Sequence, residues 1–139
     1  MTLTKIMRNL QTELSGEITD KFLEALLYGM KMSFDMSGGY RLNIENFRGR
    51  YVFRSADGFV NAAADFDRGD MKVYDSVLEE WNVRVTFKDA RALRKFLFSR
   101  DQDILNSLLA NDVEVEGNLN YLYKFGYMAR ELLLRLGVM

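Results

Sequence analysis

The side chains in this chain that could do chemistry are mostly carboxylates, and their spacing argues against that use. Asp65-Phe66-Asp67-Arg68-Gly69-Asp70 carries acids at its first, third and sixth positions and resembles a calcium loop. An EF-hand loop begun at Asp65 needs glycine at its sixth position and glutamate at its twelfth. Those positions hold Asp70 and Ser76, so the stretch reads as a hairpin turn with solvated acids. Asp101 and Asp103 are explained as helix-start charges, which favour the positive end of a helix, rather than as an acid/base pair. Glu79-Glu80 and Glu114/Glu116 read as solvated strand or loop positions.

The rest of the usual chemical inventory is missing. The chain contains no histidine and no cysteine. That removes the commonest general base, the commonest metal ligand, thiolate sites and disulfides together. A serine nucleophile would need another base, and there is no Ser-x-x-Lys, P-loop or G-x-G-x-x-G pattern. No catalytic residue, metal or cofactor is therefore expected. Arg91, Arg94, Lys95 and Arg100 cluster around one helix. They read first as a solvated face and second as a contact for a phospholipid headgroup or acyl-CoA phosphate. Tyr121, Tyr123, Phe125 and Tyr127 interleave with Lys124, a pattern that could stack bases. A net charge of −1 supplies no field to attract nucleic acid, so that partner is not expected.

Period and punctuation predict the elements that carry these residues. A 139-residue chain fits one domain, 1–139, with an ordinary core. Met1 to Leu10 lacks the apolar stretch of a signal peptide, and no run approaches the roughly 20 apolar residues that span a bilayer, so a cytoplasmic home is expected. Leu3, Ile6, Met7, Leu10 and Leu14 form one helical stripe, and Ser15-Gly16 reads as its stop. A second helix, capped by Thr19 or Asp20, buries Phe22, Leu23, Leu26, Leu27 and Met30. These N-terminal helices occupy 1–36.

After Ser37-Gly38-Gly39 the pattern turns to strands. Tyr40, Leu42 and Ile44 alternate with polar neighbours, and Tyr51 and Phe53 resume the alternation. Asp57-Gly58 marks a hairpin returning through Phe59 to Phe66, and Asp67 to Asp70 turns again. Met71, Val73 and Val77 lead toward a strand of Trp81, Val83, Val85 and Phe87. The expectation is an antiparallel meander from Tyr40 to Phe87, because loops this short do not make parallel crossovers. Asp89 caps a helix over Ala90 to Phe98 bearing Leu93, Phe96 and Leu97. A short helix from Asp101 or Gln102 presents Ile104, Leu105, Leu108 and Leu109. Val113 and Val115 form a last strand, closed by Gly117-Asn118. The final helix places Leu119, Leu122, Phe125, Gly126, Ala129, Leu133 and Leu136 on one face and Lys124, Met128, Glu131 and Arg135 opposite. Tyr123, Tyr127 and Leu134 widen the apolar side. Helices before and after the strands predict an α+β fold.

Several of these segments carry a resemblance. The alternating strand begun by Trp81, the helix opened by Thr86-Phe87-Lys88-Asp89, the leucine-rich helix and Asp112-Val113-Glu114-Val115-Glu116-Gly117-Asn118 before a final helix resemble the sterol carrier protein type 2 domain. Asn46 to Ala64 is similar to that family's first hairpin, and the likeness covers about 40–136. Asn111 departs from it where the family often has glycine. Gly137-Val138-Met139 differs from the peroxisomal tripeptide of animal members, which points to a cytosolic relative. The resemblance implies an antiparallel sheet of about five strands with helices on one side. It also implies an apolar tunnel between the sheet and the C-terminal helices, holding a fatty acid, acyl-CoA, sterol-like or other lipid without turnover. Phe96, Leu97, Leu105, Leu108, Leu109, Leu122, Phe125 and Leu133 are the residues expected to line it. Transient membrane contact goes with that reading, and a homodimer or a partner protein with its alternative. The alternative is an interaction or accessory module of the same fold with no lipid cargo.

Overall fold

A computed structural model of the protein describes residues 16–76, 78–98 and 110–137. The expected first helix over 3–14, the short helix bearing Ile104, Leu105, Leu108 and Leu109, and Val77 lie outside the described residues. Helix α1 runs Gly16–Met36 and buries Phe22, Leu23, Leu26, Leu27, Met30 and Phe34. Thr19 and Asp20 already lie within the helix, so neither is its cap. Asp20 instead accepts the backbone N–H of Asn61 at 3.0 Å, and Lys31 donates to the Met71 carbonyl at 2.9 Å. These two bonds pin α1 along the sheet.

The stretch read as a first strand, Tyr40 to Ile44, is helical and turn-like. Helix α2 covers Gly38–Arg41, and its N-cap Ser37 accepts from the Tyr40 N–H. Tyr40 and Ile44 are fully buried while Leu42 is 66% exposed. Period two fails at Leu42, and the i,i+4 pair survives because it lies on one helical side.

Five strands follow in chain order: β1 (Arg48–Ser55), β2 (Asn61–Asp67), β3 (Asp70–Tyr74), β4 (Val83–Phe87) and β5 (Val113–Gly117). Their spatial order is β3-β2-β1-β4-β5. The two predicted hairpins are present. Gly58 sits at φ 83° between β1 and β2, and Arg68 and Gly69 take φ of 44° and 96° between β2 and β3, the left-handed pair a two-residue hairpin turn demands.

The simple meander is not what forms, because β4 lies parallel to β1, with Tyr51 opposite Val83 and Ser55 opposite Phe87. After β3, at one edge of the sheet, the chain passes β2 and β1 and enters as β4 on the far side of β1. Glu80 reaches Arg50 at 3.5 Å during that passage. Val52 and Ala63, cross-strand partners, are fully buried yet lie outside the apolar cluster packed against the helices. The rule against short parallel connections assumes that adjacent strands are joined directly. Here the hairpin pair β2 and β3 lies between the two partners in sequence. The remaining pairings are antiparallel.

Helix α3 (Ala90–Phe98) starts at Asp89, whose carboxylate accepts from the Ala92 N–H at 2.9 Å. Asn111 takes φ 60°, a left-handed conformation that asparagine tolerates better than most residues. Helix α4 (Leu119–Arg135) is capped by Asn118, which accepts from the Asn120 N–H at 2.9 Å. With α1 and α3, it packs on the face of the sheet that carries Tyr51, Phe53, Ala62, Ala64, Phe66, Val83, Val85 and Phe87.

Gly117 fixes where α4 begins. Its φ is 97°, and a Cβ there would overlap the Asn82 carbonyl oxygen. Gly58 shares the positive φ but has open space around it. Gly117→Ala should therefore destabilise by about 3 kcal/mol or more, combining strain and overpacking. Gly58→Ala should cost only about 1 kcal/mol, the left-handed penalty alone. Urea denaturation of the two variants checks the contrast; equal costs would show that the Asn82 clash relaxes freely.

Candidate functional site

The layer between the sheet and α3/α4 gathers the predicted lining residues whose side chains are described. Phe96, Leu122, Phe125 and Leu133 are all buried within one continuous apolar cluster. Phe125 lies 4.6 Å from Phe53 and 5.7 Å from Tyr51, ring centre to ring centre. Phe96 meets Phe87 at 5.7 Å, at the β4 end of the layer. The Leu97 side chain, like Leu105, Leu108 and Leu109, lies outside the described residues.

Sequence reasoning missed part of this layer. Tyr40 stacks on Phe34 at 4.4 Å, and Tyr51 stacks on Phe53 at 5.9 Å. Met128, assigned to the polar side of the last helix, is fully buried, and so is nearly all of Leu132. The Met128 side chain continues the 122, 125, 129 surface around the helix, so the buried arc is wider than a single stripe. Tyr123, Tyr127 and Leu134 do not extend the buried side. They face solvent at 47%, 62% and 53% exposure, and Leu136 is half exposed.

The polar atoms in this layer are paired internally. The Tyr40 hydroxyl donates to the Met128 carbonyl at 2.8 Å, and the Tyr51 hydroxyl donates to the Tyr121 carbonyl at 2.7 Å. Among the described residues no buried side-chain nitrogen or oxygen lacks a partner. What remains for anything entering this layer is hydrocarbon surface.

The charged residues lie elsewhere. Arg50 pairs with Asp65 and Glu80 on the outer face, Arg48 with Asp67, and Arg84 with Glu116 at 2.6 Å. Asp65 and Asp67, the acids of the calcium-like stretch, thus serve arginines on a strand. No cluster of three metal-ligating side chains occurs among the described residues. A polar cleft of about 450 Å³ opens beside Arg48, Arg50, Asp65, Glu80 and Tyr121. In the basic cluster, Arg91 and Lys95 line a second cleft of about 330 Å³ with Lys88 and Asp112, and Lys95 lies 3.8 Å from the Asp112 carboxylate. The side chains of Arg94 and Arg100 lie outside the described residues, as do Asp101 and Asp103. An apolar groove of about 410 Å³ runs between α1 and α4, lined by Met32, Met36, Leu132 and Leu136.

Protein-family models and curated protein sequences give no match to this chain. Solved structures do match, in shape. The apo form of sterol carrier protein 2 from Yarrowia lipolytica aligns with a TM-score of 0.61 at 11% identity, over 81% of this chain and 90% of that one. A ubiquinone synthesis protein, UbiJ-SCP2, aligns with a TM-score of 0.59 at 15% identity, over 79% of this chain and 91% of that one. The chain has the sterol carrier protein 2 fold. A stereoselective inverting sec-alkylsulfatase from Pseudomonas sp. also aligns, with a TM-score of 0.51 at 16% identity. The match covers 71% of this chain but 15% of the sulfatase, so there the sterol carrier protein 2 fold is one segment of a larger enzyme. Among the described residues the sheet is mixed, with one parallel pairing, at β1–β4.

Two phenols bonded to carbonyls two turns apart along α4 give the layer a pH signature. Burial pushes the Tyr40 hydroxyl well above its ordinary value; Glu131 adds to the shift and Arg135 partly opposes it. Burial likewise raises Tyr51, with a further contribution from Tyr121. Each proton is held more tightly in the folded than in the unfolded chain. The associated stability is present below about pH 10 and is lost as pH rises beyond it, by up to about 1.4 kcal/mol per pH unit for each phenol. Two of the seven tyrosines should therefore ionise only with unfolding in an absorbance titration. Tyr40→Phe should shift the alkaline midpoint upward by removing one of them; an unchanged profile would place the linkage elsewhere.

Proposed function

We propose that this protein binds and carries a hydrophobic amphiphile, without turnover, in the layer between its sheet and α3/α4. One observation carries the reading: the layer is lined by apolar side chains, and its few polar atoms are already satisfied by backbone carbonyls. A ligand there is selected by hydrocarbon length and shape, with its headgroup left at the surface. Fatty acids, acyl-CoA and sterol-like lipids meet that description. The proposed contacts are Phe96, Leu97, Leu105, Leu108, Leu109, Leu122, Phe125 and Leu133. Burying about 14 methylenes gains roughly 11 kcal/mol. Subtracting association costs of about 4 kcal/mol leaves affinity in the micromolar range.

The fold likeness to sterol carrier proteins supports the reading. So does the absence of histidine and cysteine, which leaves acid/base chemistry to carboxylates that pair with arginines. Delivery of such a cargo requires transient membrane contact, and no described helix is long and apolar enough to cross a bilayer. The cytoplasm is the proposed setting. A second reading, an accessory or interaction module of the same fold, is favoured by the exposed Tyr123, Tyr127 and Leu134 on α4.

Native mass spectrometry of the purified protein, followed by organic extraction, separates the two readings. Carriage predicts a stoichiometric adduct of lipid mass released on denaturation, or micromolar binding when palmitate is added. A clean apo mass with no binding of palmitate, palmitoyl-CoA or cholesterol would leave only the module. Within the first reading, Leu105→Asp or Leu108→Asp should weaken palmitate binding at least tenfold, since a carboxylate in hydrocarbon costs well over 1.4 kcal/mol. Unchanged affinity in a folded variant would sink this placement of the contacts. Phe125→Asp is a poor probe, because Phe125 is wedged against Phe53 and Tyr51 and the substitution would remove the fold itself.

A further inference from the structure

Helix α4 is apolar on two opposite sides. Its buried side carries Leu122, Phe125, Ala129 and Leu132. Tyr123, Tyr127 and Leu134 project the other way and stay about half exposed. Their spacing, with Arg130 between them, is 4, 3 and 4, the a/d seam of a helix pair. In that frame Phe125 and Leu132 take the position farthest from the seam, which agrees with their burial in the body of the protein. Lys124 and Glu131 lie one heptad apart along a single flank of the seam.

We propose that α4 is the contact surface of a homodimer, in which a second copy of this chain packs its own α4 antiparallel about a two-fold axis. The sequence is complementary to itself in that arrangement alone. Tyr123 meets Leu134 of the second copy, Tyr127 meets Arg130 in a guanidinium–ring contact, and each relation is repeated by symmetry. On the flank, where antiparallel helices bring like positions together, Lys124 faces Glu131 of the second copy, and the reverse pair forms as well. A parallel pairing would set this flank against the opposite one, with Lys124 facing Leu119 and Glu131 facing Gly126 of the second copy, and would form neither pair. Within its own chain Lys124 lies 4.6 Å over the Phe47 ring, and Glu131 bonds Arg135 and Asn43. These contacts hold both side chains along the flank. One helix pair falls at the small end of specific interfaces, so the dimer should be reversible, with a dissociation constant of about 1–100 µM. The inference does not depend on the identity of any cargo.

The test is sedimentation equilibrium of the full chain from about 1 µM to about 1 mM, spanning the expected affinity. The wild type should pass from monomer to dimer over that range, and Tyr127→Glu should remain monomeric while melting as the wild type does. Lys124→Glu and Glu131→Lys should each weaken association about tenfold, since each replaces two attractive pairs by repulsive ones. The double variant should return to within about threefold of wild type, because its pairs are attractive again. A wild type that stays monomeric to the upper limit would overturn the proposal. So would a dimer that Tyr127→Glu leaves intact, or a double variant no better than its parents.

Discussion

The arrangement of every layer depends on one junction, the backbone of Asn82. Its N–H donates to the Arg50 carbonyl at 2.9 Å, and its side-chain oxygen accepts from the Arg50 N–H at 2.8 Å. Its own carbonyl accepts from the Asn118 N–H at 3.1 Å. One residue thus fixes the end of the crossover to β1 and the start of α4 to the head of β4. Gly117 must lack a side chain because that carbonyl lies where a Cβ would be. The consequence reaches the interior. With the α4 N-terminus set there, Phe125 arrives over Phe53, two helical turns further on. A different start for α4 would rotate a different set of side chains onto the sheet.

Two phenols then determine what the interior can accept. Tyr40 and Tyr51 are among the largest fully buried side chains, and each ends on a backbone carbonyl within or beside α4. Burying a hydroxyl without a partner would cost a few kcal/mol, so these bonds compel α4 to sit at one height above the sheet. The same bonds remove both hydroxyls from the pool that could greet a polar ligand. The interior is therefore selective by elimination. An amphiphile can place its chain there and must leave its headgroup outside, where the arginines and acids of the surface already pair with one another.

Local signals carried most of the fold, and the failures have common physical causes. Asp57-Gly58, Arg68-Gly69, Asp89 and Gly117-Asn118 announced turns and caps because the backbone conformation each provides has few competitors among residue types. The buried side of α1 was legible because five apolar residues recur at helical spacing. Tyr40 to Ile44 misled because apolar residues two apart also place the outer pair four apart, a spacing that fits either period. The parallel β1–β4 pairing was invisible, since it depends on which sheet edge the chain reaches after β3 and no residue in 75–82 encodes an edge. In the candidate site, Phe96, Leu122, Phe125 and Leu133 could be read as buried. Met128 could not, because its flank of α4 is closed by Tyr40 from a distant part of the chain.

The width of the apolar arc on α4 is the last point the sequence posed and the fold resolves. A helix that only covered a sheet would need apolar residues over roughly a third of its circumference. Here the inner arc, extended by Met128 and Leu132, already meets that need, so Tyr123, Tyr127 and Leu134 contribute nothing to it. Retaining large apolar side chains on the solvent side offers an unpaired surface that can associate or aggregate. A symmetric contact limits that hazard, because an isologous interface closes after two copies, whereas a head-to-tail one can continue indefinitely. On this view the inner and outer faces of α4 are separable. The inner one is held in place by the Tyr40 and Tyr51 hydroxyls, and a charge placed on the outer one can change association while leaving the interior as it is.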